Sequence, residues 1–265
     1  MVGIVRSELT RFRRGSFRLG WLGITALFAV LMNVFVFSAP AHGISGNTQG
    51  PGGVFPTAAQ LAGSHGMVIS LATATTFLGV VTLSFWAVAA ASDYTSGLIR
   101  ILVQAEPRRT RLLAGKVAAL ALWTALATTV AVAVSCVSAI GMASVAGISM
   151  SHWWAGAAGA IAGAWLDTYL ALVVWGVIGL VIAVLTRSST VAIAGGVAYV
   201  LIIESVFKLV ASGASHWLPG SILTALASGG TADVAYGSAV ILGAAYAAVG
   251  LASATLAFRR RDIVE

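Results

Sequence analysis

Charged side chains are concentrated between two long apolar stretches of this sequence, in the segment that runs from Asp93 to Lys116. The segment and its edge hold five basic residues: Arg100, Arg108, Arg109, Arg111 and Lys116. Guanidinium and ammonium groups form charge-assisted hydrogen bonds with acidic groups of a partner. A pattern of this kind suits docking to a partner through charge pairs.

A short amphipathic helix is predicted inside this segment. Four apolar residues follow the i, i+3, i+4, i+7 spacing of one helical face: Leu98, Ile101, Leu102 and Ala105. Gly97 precedes them, and Glu106 should end the helix because the residue before a proline, here Pro107, is pushed out of the helical region. A loop this basic between two apolar stretches is expected at the cytoplasmic face of a membrane. In most membrane proteins such a loop is only a topogenic signal, and that alternative stays open.

Motifs of enzymatic chemistry are absent from the sequence. There is no G-x-x-x-x-G-K-[ST] phosphate loop, no G-x-S-x-G and no H-E-x-x-H, so the Gly115-Lys116 pair is not a nucleotide site. The histidines lack the short spacing of zinc ligands; they are His42, His65, His152 and His216. We expect a chain that is not an enzyme and binds neither a metal nor a cofactor itself.

The composition is that of an integral membrane protein. Hydrophobic residues make up 59% of the chain and charged residues only 9%, whereas about a quarter of a soluble protein is charged. The net charge of +7 does not indicate a nucleic-acid partner, because the basic residues are not gathered on one soluble face. The predicted fold is all-α, with six apolar segments long enough to cross a bilayer: about 19–39, 67–92, 115–141, 163–185, 190–210 and 234–258.

The basic residues also predict the orientation. Residues 1–18 carry arginines, with Val5, Leu9 and Phe12 at helical spacing, which is typical of an interfacial amphipathic helix. Of the fifteen Lys and Arg residues, fourteen fall on the side of this segment and of the basic loop, and only Lys208 falls toward the other. The positive-inside rule then places both termini in the cytoplasm. We expect one transmembrane domain over 1–265 in the plasma membrane.

Polar and small residues within the spans are candidates for the substrate pathway or for contact between subunits. Asp167 and Glu204 are acids within the expected hydrocarbon limits, where charge is costly. Glu204 precedes Lys208 by four residues, the favourable order for an intrahelical ion pair. Asn33 is expected to form hydrogen bonds between helices, and Ala192 with Gly196 marks a face of close helix packing. For both acids, a self-satisfied structural group is the alternative.

The loop resembles the one between the second and third spans of type-2 ATP-binding-cassette (ABC) permeases. The resemblance rests on the order of seven residues: Asp93, Gly97, Leu98, Pro107, Arg109, Gly115 and Lys116. An aspartate opens the loop where a glutamate is expected, which keeps the charge. The six-span layout, the basic amphipathic start and the broken segment around Trp217-Leu218-Pro219 extend the resemblance over nearly the whole chain.

The resemblance implies the membrane subunit of an exporter. In that family two permease chains, identical or homologous, form the pathway, and two separate ATPase subunits, which bind ATP and Mg, supply the work. The loop would carry the coupling helix that docks on the ATPase through Gly97, Leu98, Arg100, Ile101, Leu102, Glu106, Pro107, Arg108 and Arg109. Subunit contact through the first and fifth spans would involve Asn33 and the Ala192 to Gly196 face. The alternatives are an ion-driven secondary transporter using Asp167 and Glu204, and a membrane scaffold or sensor without transport.

Overall fold

The fold is described from a computed structural model of the chain. The structure describes residues 2–11, 15–44, 49–50, 53–97, 104, 108–210 and 216–260. Within these ranges the chain is helical apart from loops and one pair of two-residue strands, β1 (Gln49–Gly50) and β2 (Gly53–Val54), which are antiparallel. The described helices are α1 (Val2–Arg11), α2 (Gly15–Ser38), α3 (Ala58–Ala62), α4 (Ile69–Thr95), α5 (Arg109–Val145), α6 (Ala157–Thr186), α7 (Ser189–Ala198), α8 (Glu204–Val210), α9 (Pro219–Ala227) and α10 (Tyr236–Arg260).

Five of the described helices are long and apolar enough to cross a membrane. These helices are α2, α4, α5, α6 and α10. Their mean hydropathy follows from the long runs of Leu, Val, Ile and Ala, and a bilayer requires about 20 such residues in a helix. The chain is therefore built as a helical membrane protein.

The expected span over 190–210 is not one regular helix. Helix α7 ends at Ala198, a π-helical turn covers Tyr199–Ile203, and α8 continues from Glu204. The backbone N–H of Glu204 bonds to the carbonyl of Tyr199, five residues earlier, so the turn holds one residue more than an α-helical turn. One extra residue in a turn does not change the hydropathy pattern of a uniformly apolar run, so the π-helical turn could not be predicted from the sequence.

Two other helix boundaries differ from the expectation. The interfacial helix expected over 1–18 is described over 2–11 as α1, residues 12–14 lie outside the described residues, and residues 15–18 form the start of α2. The apolar run from Leu19 continues the same helix. Helix α5 has 37 residues, whereas about 20 cross a bilayer, so it extends beyond the span expected over 115–141 at both ends.

The centre of the bundle is the pair α4 and α6, which interlock through glycine and tryptophan. A Cβ built on Gly79 of α4 would lie 2.4 Å from the Trp175 ring of α6, and one built on Gly176 would lie 2.4 Å from the Trp86 ring of α4. Only glycine leaves room for each indole. Both tryptophans are almost fully buried, and the Trp86 indole N–H donates to Thr124 Oγ1 of α5 at 3.0 Å.

The end of the bundle away from the basic loop is closed by packed connections. The side chain of Trp153, which is fully buried, donates from its indole N–H to the carbonyl of Leu61 at 2.8 Å. Thr57 and Gln60 form a reciprocal capping box at the start of α3, which fixes this short helix. The connection between α2 and α4 is thereby held against the one between α5 and α6.

Candidate functional site: an ionic cluster beneath the basic loop

The predicted docking residues lie mostly outside the described residues. These are Leu98, Arg100, Ile101, Leu102, Glu106 and Pro107. Gly97 has a φ of +68°, a left-handed backbone that favours glycine directly after α4. Gln104 is helical and exposed, Arg108 is exposed, and Arg109 begins α5. The described part of the loop thus consists of its two ends and one helical residue between them.

A cluster of three buried charged side chains lies at the base of this loop. The Lys116 Nζ is 2.7 Å from Asp93 Oδ2 and 3.2 Å from Glu8 Oε2. It also donates to the carbonyl of Ala89 at 3.0 Å. Lys116 is 8% exposed, and Glu8 and Asp93 are each 3% exposed. We call these three residues the ionic cluster.

The local sequence explains how two members of the cluster reach one another. Asp93 is in the last turn of α4, and Lys116 is in the third turn of α5, so both lie a short distance below the loop that joins these helices. An ammonium group has three N–H donors, and Lys116 Nζ has three oxygen partners, on Asp93, Glu8 and Ala89. Buried charges need pairing of this kind, because desolvation costs several kcal/mol per ion.

Glu8 comes from α1, and sequence reasoning missed it. Leu9, beside it, packs against the largest apolar cluster of the bundle. A signal was present in the sequence, since Glu8 falls three residues after Val5 and four before Phe12, on the face that was interpreted as apolar. An acid on the apolar face of a basic helix indicates a buried cationic partner.

A cavity of about 30 Å³ adjoins the ionic cluster and is also lined by Leu180, Val184 and Phe258. A space of this size holds about two water molecules. Beside it, the Arg187 guanidinium lies 6.0 Å from the centroid of the Tyr94 ring, within cation–π range. Arg187, in the tight turn between α6 and α7, is thereby placed at the same end of the bundle as the ionic cluster.

The sequence family is known for most of the chain. The family described as "Protein of unknown function (DUF2705)" matches residues 24–264. The chain belongs to this family. The match begins inside α2, so it covers Asp93 and Lys116 but neither Glu8 nor the rest of α1. None of the curated proteins matches the chain at a significant level.

In this family member, Asn33 forms the hydrogen bonds between helices that its position suggested. Its Nδ2 donates to Ser135 Oγ of α5 and to the carbonyl of Ala29, both at 2.9 Å, and its Oδ1 accepts from Ser70 Oγ of α4 at 2.7 Å. Asn33 is fully buried. These contacts join α2, α4 and α5 within one chain, so the side chain does not face outward toward a second subunit.

Ala192 and Gly196 likewise pack inside the chain. Ala192 is fully buried, and a Cβ built on Gly196 would lie 2.7 Å from Leu83 Cδ2 of α4. Small residues here permit the close approach of α7 to α4, as the spacing predicted. The expected role of this face in contact between subunits is not supported, since α4 of the same chain occupies it.

The two acids within the apolar helices are both hydrogen-bonded. Glu204, 3% exposed, accepts from the backbone N–H of Gly220 at 3.0 Å and from Ser221 Oγ at 3.3 Å, and so caps the start of α9. Asp167 accepts from the Tyr236 hydroxyl at 2.6 Å. The side chain of Lys208, the expected partner of Glu204, lies outside the described residues. Among the described residues, no three His, Cys, Asp or Glu side chains gather as metal ligands.

Proposed function

We propose that this chain is the membrane subunit of an ATP-driven ABC exporter, without catalytic activity of its own, and that separate ATPase subunits grip its basic loop. The observation that supports this best is the buried ion pair between Asp93 and Lys116, 2.7 Å long, at the base of the loop. A loop that acts only as a topogenic signal needs no buried ion pair at its base, whereas a loop that transmits force needs one.

The ion pair between Asp93 and Lys116 connects the loop with the centre of the bundle. Asp93 belongs to α4, and α4 interlocks with α6 through Gly79 and Gly176, which admit the facing tryptophans. Packed interfaces of this kind move as rigid bodies. A displacement of the loop would therefore pass through α4 to α6 without being absorbed by bending.

The finer parts of the proposal follow the family resemblance. Helix α7, the π turn and α8 together form the fifth of six spanning segments in chain order. Two permease chains, identical or homologous, enclose the pathway, and two ATPases bind ATP and Mg. The excess of basic residues on the loop side supports a topology with the loop and both termini in the cytoplasm. The membrane of the proposal is the plasma membrane.

An ion-driven transporter using Asp167 and Glu204 is the rival. Both carboxylates already accept hydrogen bonds, and Glu204 serves as a helix cap, which is a structural task. The two mechanisms differ in energy source. Collapse of the ion gradients across proteoliposomes abolishes transport by the rival and leaves transport by an ABC exporter unchanged at saturating ATP.

The test of the proposal begins with the native complex. The tagged chain, extracted in mild detergent, should co-purify with a protein that contains a G-x-x-x-x-G-K-[ST] motif and hydrolyses ATP. A triple variant, L102D/E106K/R109E, should insert normally and lose this partner, because it reverses the charges and disrupts the apolar face of the loop. The control R187E changes an exposed arginine at the same end outside the loop and should retain the partner. Recovery of the ATPase with the triple variant would contradict docking at the loop.

A further inference from the structure

Helix α1 is linked to both helices that flank the loop through one ammonium group, that of Lys116. Glu8 accepts from Lys116 Nζ at 3.2 Å, and the same nitrogen lies 2.7 Å from Asp93 of α4. Lys116 itself belongs to α5. Because Glu8 is 108 residues from Lys116 in the sequence, this contact is a tertiary one that positions α1 against the first turns of α5.

Helix α1 depends on packing for its position. Its described part has ten residues, and an isolated helix of that length is marginal in water. Its order must come from packing of the face that carries Glu8 and Leu9. Arg6, Ser7 and Thr10 are exposed on the rest of the helix. An apolar side chain at position 8 would also pack, but a buried charge fixes one register of α1 against α5.

We propose that Glu8 is a positioning residue that fixes α1 beside α4 and α5, so that α1 becomes the third helix that supports the loop. We call these three helices the mount of the loop. The loop is then supported by α4, α5 and α1 together. The link of this mount to transport rests on the proposed function, but the attachment of α1 through Glu8 does not. The attachment is therefore tested on the chain alone.

The first experiment measures amide hydrogen exchange of α1 by mass spectrometry, with the full chain in lipid nanodiscs. Glu8→Lys places a second cation beside Lys116 and should speed exchange in α1 by about tenfold, because α1 then opens locally. The double variant S7K/T10K adds the same charge on the exposed face and should exchange at the wild-type rate. Exchange in the middle of α5 should be unchanged in both.

Two further variants separate the role of the charge from packing. Glu8→Asp keeps the carboxylate and should restore most of the protection, whereas Glu8→Gln keeps the shape without the charge and should restore less. If Glu8→Lys leaves α1 protected, or if Glu8→Gln protects as well as the wild type, Glu8 is not the positioning residue. Should Glu8→Lys unfold the bundle, the comparison of Glu8→Gln with Glu8→Asp decides alone.

The second experiment adds the ATPase subunit recovered with the wild-type chain. Glu8→Lys should still bind it through the loop but should no longer stimulate ATP hydrolysis, because the loop has lost one of its three supports. If Glu8→Lys stimulates ATP hydrolysis normally although the amides of α1 exchange fast, α1 has no role in the mount. If the wild-type chain recruits no ATPase, the proposed function fails, while the exchange result still decides whether Glu8 positions α1.

Discussion

The ammonium group of Lys116 lies where three helices meet, and its partners show which contacts of a single residue can be predicted from the sequence. Asp93 and Lys116 were identified as the ends of a motif, because they flank the loop in sequence. Glu8 was not, because a pair separated by 108 residues is set by how α1 packs and leaves only the local signal of an acid on an apolar face. The same holds for Asn33, whose polarity suggested hydrogen bonding between helices but not the identity of Ser70 and Ser135.

Replacement of Lys116 by methionine should destabilise the chain strongly. The substitution keeps an apolar stem of similar length but leaves two buried carboxylates near one another, and breaking a buried ion pair in this way costs about 3–5 kcal/mol. The measurement is the free energy of unfolding in mixed detergent micelles. The control is Arg111→Met, an exposed cation on the same helix, which should change the free energy by no more than about 0.5 kcal/mol.

The pairing also predicts a partial rescue. In the double variant D93N/K116M one of the two carboxylates is neutral, so the loss of stability should be smaller than the sum of the two single losses. Strict additivity of the two substitutions would show that Asp93 and Lys116 do not interact in the folded chain.

At the scale of elements, composition predicted which segments are helices better than where they end. Long apolar runs can satisfy their backbone within a bilayer only as helices, and the described part of the chain contains five such helices. The π turn at Tyr199–Ile203 and the length of α5 were not predicted, because neither changes the apolar pattern from which spans are recognised. The Ala192 to Gly196 face was correctly identified as a packing face, but spacing alone did not show that α4 of the same chain covers it.

The interlock of α4 with α6 predicts the effect of a single methyl group. Gly176→Ala would place a Cβ 2.4 Å from the Trp86 ring, and overpacking of this kind costs about 1–3 kcal/mol. The free energy of unfolding of the variant in detergent should fall by that amount. Gly141→Ala in α5 is the control, because its Cβ meets nothing within 4 Å. An equal loss for both variants would mean that α4 and α6 do not approach as closely as described.

At the scale of the whole molecule, the two ends of the bundle differ in chemistry. The loop end holds the ionic cluster and the exposed arginines Arg6, Arg108, Arg111, Arg187 and Arg259. The other end is held by neutral contacts, such as that of Trp153 with Leu61, and by the carboxylates of Asp167 and Glu204, which cap or accept from neighbouring elements. The sequence predicted this asymmetry well, because charge count along the chain needs no knowledge of packing.

The asymmetry predicts the orientation of the chain in the membrane. In a Cys136→Ala background, a single cysteine at Gln104, which is exposed at the loop end, should resist a membrane-impermeant maleimide on intact cells and react after permeabilisation. A single cysteine at Ala155, exposed in the turn before α6, should react on intact cells. The opposite pattern would place the loop outside, away from ATP, and the proposed docking of an ATPase would then be wrong even if the ionic cluster braces the loop as described.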